Sequence, residues 1–211
     1  MKPSSREEVR EMYEGTADSY ARMMDAEIDL PIYSGILGRL QERLGNKAGT
    51  LIDTACGSGH MLLRYHERYD GSRSLMGVDL SPRMVAIATE RLGRRARIVD
   101  GDMREIPDVE AGTAVAVLNF FALHHLDPEG VGEALKEWRR VLQPGGELVL
   151  AAWEGSGVID YGDESEIIAL RYGSDELKLW VSEAGFEVIR CVVEPVEGLP
   201  MDAIYLEAVK A

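Results

Sequence analysis

The sequence predicts an α/β protein with a mostly parallel sheet and helices on both faces. From Thr50 onward, short apolar runs alternate with amphipathic stretches, β then α, and that alternation builds a parallel sheet wrapped by helices. The last two apolar runs, 186–193 and 203–209, have no helix between them and are expected to pair antiparallel. A third observation sets the centre. Leu51-Ile-Asp-Thr-Ala-Cys-Gly-Ser-Gly-His60 reads as a buried strand, a small-residue turn and the start of a helix. Such a turn brings bare backbone to a ligand, and the helix N-terminus behind it offers unpaired N–H groups.

Residues 5–26 read as one or two short polar helices broken at Gly15. Pro31 suits a first helical turn, and Ile32, Ile36, Leu40 and Leu44 form a stripe that Gly45 can end. Strand 50–55 leads through the glycine turn to helix 59–69. Strand 74–79 leads to a helix with Ser81 as N-cap, Pro82 at its first position, and Val85, Ala88 and Leu92 inward. Strand 96–100 follows. Strand 113–119 is continuously apolar, as a strand covered on both faces should be. Asp127-Pro128 starts a helix with Val131, Leu135, Trp138 and Leu142 on one stripe, stopped by Gln143-Pro-Gly-Gly146 ahead of strand 147–153. Ser174 starts a last helix, ended at Gly185.

The length of 211 residues suits one domain. It divides into an N-terminal helical cap (1–45), a ligand-binding core (46–153) and an acceptor-side insert with the last helix and strand pair (154–211). No apolar run is long enough to cross a bilayer, no signal-peptide h-region opens the chain, and two cysteines give neither a disulfide framework nor a metal site. These features imply a cytoplasmic protein, monomeric or homodimeric, without membrane contact. A net charge of −14 argues against nucleic acid, whose phosphates it would repel. The basic cluster Arg91, Arg94, Arg95 and Arg97 fits a helix C-terminus.

The strand ends carry the chemistry. The glycine turn departs from the dinucleotide fingerprint, because Leu62 stands where its third glycine would be. Asp53 is placed to meet a cationic group. Asp79, 20 positions after Gly59, is suited to the hydroxyls of a ribose. Asp102 can accept from an exocyclic amine, and Met103 offers a soft face to a flat base. Read alone, Asp79 equally caps a helix, Asp102 equally stands in a solvated loop, and Tyr13 and Tyr20 equally pack α-helices on the core. His124 and His125, after Asn119-Phe120-Phe121, serve either structure or acid–base chemistry.

In order, the motifs Asp53-Thr-Ala-Cys-Gly-Ser-Gly59, Gly77-Val-Asp79-Leu-Ser81, Gly101-Asp-Met103, Leu123-His-His-Leu126 and Leu142-Gln-Pro-Gly-Gly146 resemble the class I S-adenosylmethionine-dependent methyltransferases, in the small-molecule branch that includes the ubiquinone/menaquinone-type enzymes. The resemblance implies a Rossmann-like seven-stranded sheet with the last strand reversed. It also implies S-adenosylmethionine as cofactor, S-adenosylhomocysteine as product, and no metal. It places Asp53, Ala55, Gly57, Gly59 and Asn119 at the methionine part of the cofactor, Asp79 at the ribose, and Leu80, Asp102 and Met103 at the adenine, with Tyr13 and Tyr20 closing over it. Ala55 stands where the family has its first glycine. His125, and less so His124, is the candidate general base. The implied function is methyl transfer to an O, N or C atom of a small metabolite. The alternatives are an enzyme of this fold using the cofactor without methyl transfer, or a non-catalytic cofactor-binding protein. From Glu154 onward 13 acids face 4 bases. A solvated surface is the plainer account. The sharper one has Glu154, Asp160, Asp163, Glu164 or Glu166 attracting a cationic acceptor.

Overall fold

The computed structural model describes residues 2–106, 108–159, 166–196 and 199–211. Two helices, α1 (Arg6–Glu27) and α2 (Pro31–Leu44), precede the sheet. Then come β1 (Thr50–Asp53), α3 (His60–Arg68), β2 (Leu75–Asp79), α4 (Pro82–Leu92), β3 (Arg97–Asp100) and β4 (Ala114–Phe120). After them run α5 (Pro128–Val141), β5 (Leu142–Trp153), the short pair β6 (Val158–Ile159) and β7 (Ala169–Leu170), α6 (Ser174–Glu183), β8 (Phe186–Pro195) and β9 (Asp202–Lys210). The main sheet has seven strands in the order β3-β2-β1-β4-β5-β9-β8. β9 runs antiparallel to both of its neighbours, β5 and β8, and the pairings from β3 to β5 are parallel. This is the predicted architecture. The chain order reverses between β1 and β4, so the carboxyl ends of those strands flank the switch point where open α/β sheets bind ligands. Among the described residues, no helix is long and apolar enough to cross a membrane.

Local chemistry sets the frame around that point. Residues 114–119 of β4 are all buried, because helices cover both faces. Ser81 Oγ accepts from the Met84 N–H at 3.2 Å and Asp127 Oδ1 from the Gly130 N–H at 2.9 Å, so α4 and α5 start where their caps stand. Val131, Leu135 and Trp138 of α5 are buried in one core layer with Leu177 and Val181 of α6. On the other face, Arg39 and Arg43 of α2 grip the buried carboxylates Glu207 and Glu147 at 2.6 and 2.8 Å.

Two expectations are corrected. α1 runs unbroken through Gly15, held by a Ser5–Glu8 capping box and by ties to α4: Asp18–Arg83 at 2.6 Å, Asp25–Arg91 at 2.7 Å, and Glu14 accepting from the Arg83 N–H at 3.1 Å. Together these outweigh the roughly 0.5–1 kcal/mol that one helical glycine costs. β5 begins at Leu142, five residues early: Leu142 pairs with Ala114 and Glu147 with Ala116, and Gln143–Gly146 between them, with Gly145 at φ 69°, bulge out of the pairing.

Gly59 is fixed by its surroundings. It caps α3 at φ 79°, and a Cβ there would lie 2.8 Å from Leu92 Cδ1 and 3.1 Å from Ala88 Cβ. Gly59→Ala is therefore expected to cost about 2–4 kcal/mol, from backbone strain plus overpacking. Gly15→Ala, in open space, should instead stabilise by about 0.5–1 kcal/mol. Urea denaturation midpoints moving in opposite directions would confirm this, and equal shifts would refute it.

Candidate active site

The carboxyl ends of β1, β2 and β4, the loop after β3 and the underside of α1 enclose a cavity of about 500 Å³. At one side the turn after β1 presents Thr54, Ala55 and Gly57 to it. Gly57, at φ 50°, leaves its backbone bare, and a Cβ there would reach Tyr20 Cε1 at 3.4 Å. Asp79, at the end of β2, accepts from the Gly57 N–H at 2.7 Å and from the Ser81 N–H at 3.0 Å. Its carboxylate therefore ties the glycine turn to the start of α4 while facing the cavity beside Leu80. Burial pushes its pKa up to about 6, against the pull of those backbone bonds. Asp53 lies behind the wall, 2% exposed, and its sole described contact is the Ala55 N–H at 3.4 Å. Burial, with Asp79 close by, pushes its pKa up to about 7. Two under-compensated carboxyls beneath a bare turn form a site prepared for donors and a positive group.

Asp53 thus carries a stability cost. Its folded pKa exceeds the unfolded value of about 3.9, so folding is weakened as pH rises through that window, fully so above about 7. Asp53→Asn is expected to raise the melting temperature of the ligand-free protein at pH 8, by about 2–4 °C for each kcal/mol recovered, and to give no gain at pH 4. A variant melting lower than the parent at pH 8 would contradict this.

Along the adenine side predicted by resemblance, Met103 and Asp102 line the cavity. Asp102 is already engaged. Arg104 donates to it through Nε at 3.0 Å, Nη2 at 2.8 Å and its own backbone N–H at 2.9 Å, and Arg6 of α1 stands 3.5 Å away. Burial acts to raise its pKa, but these partners hold it below the usual range. Asn119 sits one layer under the wall. Its Nδ2 donates to Thr54 Oγ1 at 3.1 Å and contacts Met103 Sδ at 3.4 Å, and its fully buried Oδ1 has no partner among the described residues. Gly59 also stands off the wall, packed on α4.

Across the cavity, α1 projects Tyr13 and Tyr20 from one face, seven residues apart, with their rings edge to face at 6.1 Å. Tyr13 Oη lies 3.0 Å from His125 Nε2. His125 lines the cavity from the 3-10 turn Leu123–His125, and burial pushes its pKa down to about 4. His124 lies against it, ring centres 4.0 Å apart and planes tilted by 54°, off the wall, with its pKa pushed well down by burial and by His125. His60, which sequence reasoning passed over, extends this ring series. It follows Gly59 directly, touches Tyr20 at 6.4 Å between ring centres, and holds Ser58 Oγ at 3.2 Å. Its place at the N-terminus of the turn's helix was the signal. Burial, with Arg91 nearby, pushes its pKa to about 3.

Phe120, Phe121, Ala122 and Leu126 add an apolar stretch of wall, and residues 2–6 with Glu8 and Val9 of α1, Met84 and Asp127 also line the cavity. The acidic tail contributes nothing described to it. Glu154 accepts from the Ser174 N–H at 2.9 Å and so caps α6, and Glu166 is exposed. Asp160, Asp163 and Glu164 lie outside the described residues.

The chain residues fit a nucleoside with an attached amino acid: a carboxylate and a bare glycine turn on the cavity wall, buried acids, and a pair of tyrosines that line it. Residues 51–146 match the methyltransferase domain family. An uncharacterised methyltransferase of Geobacillus kaustophilus is 29% identical over 68% of this chain and 66% of its own length. A carboxy-S-adenosyl-L-methionine synthase of Chromohalobacter salexigens is 38% identical over 56% of this chain and 44% of its own. The chain thus spans two thirds or less of these curated relatives. The solved 1,6-didemethyltoxoflavin-N1-methyltransferase of Burkholderia thailandensis, with bound 1,6-didemethyltoxoflavin and S-adenosylhomocysteine, superposes with a TM-score of 0.75 over all of this chain and 92% of its own, at 21% identity. The matched domain spans the glycine turn and all three acidic strand ends, and together with this sheet order it supports a class I S-adenosylmethionine-dependent methyltransferase.

Proposed function

We propose that this protein transfers the methyl group of S-adenosylmethionine to an oxygen or carbon atom of a small uncharged molecule, with His125 taking the proton that the acceptor gives up. The observation that carries the reading is the Tyr13–His125 pair, standing on the same cavity wall system as Gly57 and Asp79. When bound, S-adenosylmethionine supplies an electrophilic methyl group on its sulfonium sulfur. The chain's own residues do the rest. Asp79 grips the ribose, Leu80 and Met103 flank the base, and Ala55 and Gly57 offer backbone to the amino-acid part above Asp53. Tyr13 and Tyr20 cover the cavity and exclude water. His125 is neutral at pH 7, and its Nε2, held by Tyr13 Oη at 3.0 Å, receives the proton once the acceptor group takes the place of the Tyr13 oxygen. Asp127 and Glu8, carboxylates that line the cavity with His125 and Tyr13, are both engaged as helix caps, Asp127 by the Gly130 N–H and Glu8 by Ser5, which disfavours a cationic acceptor there.

The relative named as a carboxy-S-adenosyl-L-methionine synthase supports the second reading, use of the cofactor without methyl transfer. Incubation with methyl-labelled S-adenosylmethionine and a metabolite extract separates the two. Label in an extract molecule supports methyl transfer. Label retained on a chemically altered cofactor supports the second reading, and an unchanged cofactor refutes both.

A further inference from the structure

Phe121 is the sole non-glycine residue among the described ones with a positive φ, 51°. A bulky side chain adopts that conformation only when its surroundings impose it. Here they do so at three points. The Phe121 N–H is held by the Ala151 carbonyl at 2.9 Å. Its ring lies 4.6 Å from Trp153 at 36°, and 6.1 Å edge-on from Tyr205. Trp153 ends β5 and Tyr205 stands on β9, so two neighbouring strands fix one ring. Phe120 is braced in the same way on its other side, by Tyr33 at 5.9 Å. Both phenylalanines line the cavity that His125 lines. Strain kept at a cavity wall, with its ring locked from behind, marks a surface built for a bound shape.

Resting on the methyl-transfer reading above, the geometry points to Phe121 as a specificity-determining residue that seats a planar conjugated ring of the acceptor on its own ring. A rigid aromatic shelf recognises a flat, uncharged ring through offset or edge-to-face contact, which a saturated ring of equal size does not reproduce. The neutral, weakly basic His125 agrees. It suits a proton that is already acidic, as on a hydroxyarene or enol, better than that of an alkanol. The acceptor class is then a planar hydroxyarene or its heterocyclic equivalent.

The test uses the full chain loaded with S-adenosylhomocysteine and two probes with one carbon skeleton, 2-naphthol and decahydro-2-naphthol. Failure of S-adenosylhomocysteine itself to bind would defeat the cofactor reading, independently of this one. With it bound, 2-naphthol should bind roughly two- to tenfold tighter than its saturated counterpart. Phe121→Leu, which keeps apolar volume, should erase that preference and leave S-adenosylhomocysteine affinity unchanged. Phe121→Gly, which relaxes the backbone, should do the same in a protein that melts no lower than Phe121→Leu. Equal binding of the two probes, no binding of 2-naphthol, or a preference that survives Phe121→Leu overturns the assignment.

Discussion

Replacing His125 by alanine is expected to lower turnover by about 10²–10⁴-fold while leaving S-adenosylhomocysteine affinity nearly unchanged. The imidazole lines the cavity that Asp79 also lines, with Tyr13 Oη at 3.0 Å from Nε2. Tyr13→Phe removes only the orienting bond and should cost about three- to tenfold in turnover. The pH profile gives an independent check. A general base must be unprotonated, so kcat/KM should fall as pH drops through the His125 pKa. In ordinary surroundings that is about 6.5, but burial sets it at about 4 here. The profile should therefore stay flat below pH 6.5 and bend near 4. Full activity in His125→Ala would show that the acceptor needs no base from this residue, as an amine would not, whereas a bend at about 6.5 that disappears in this variant would show the imidazole titrating as in ordinary surroundings.

Asp79→Ala should weaken S-adenosylhomocysteine binding by at least about tenfold, the factor that 1.4 kcal/mol sets. Each charge-assisted bond from a ribose hydroxyl to the carboxylate contributes about 1.5–3 kcal/mol. The variant also frees the Gly57 and Ser81 N–H groups that Asp79 now accepts, so the glycine turn loses its anchor to α4. Asp79→Asn keeps an oxygen for one of those donors and should fall between the variant and the parent. Calorimetry on variants with native circular dichroism checks this. Unchanged affinity would make Asp79 a structural acid of the turn.

Patterns of short range were legible in the sequence. Period-two and apolar runs placed seven strands, and Ser81 and Asp127 marked helix starts to the residue, because caps act through bonds to backbone three residues away. The order of strand-end motifs located the cavity, and of the residues named for it, Tyr13, Tyr20, Ala55, Gly57, Asp79, Leu80, Asp102, Met103 and His125 line it. What the sequence hid was decided by distant partners. Gly15 reads as a break until Arg83 and Arg91 of α4 are seen to hold α1. Asp102 reads as a free acceptor until Arg104 folds back on it. Asn119 and Asp53 face the site in sequence but lie one layer beneath its wall, since strand-end side chains alternate in direction. The strain at Phe121 has no sequence signature at all, for it arises from Trp153 and Tyr205 on two other strands.

A crystal structure of the complex with S-adenosylhomocysteine tests the central claim most directly. The account predicts the ribose hydroxyls on Asp79, the sulfur opening toward the Tyr13–His125 pair, and Phe121 still at positive φ beside it. A closed complex with the nucleoside bound elsewhere, or with both imidazoles turned away from the sulfur, would contradict it.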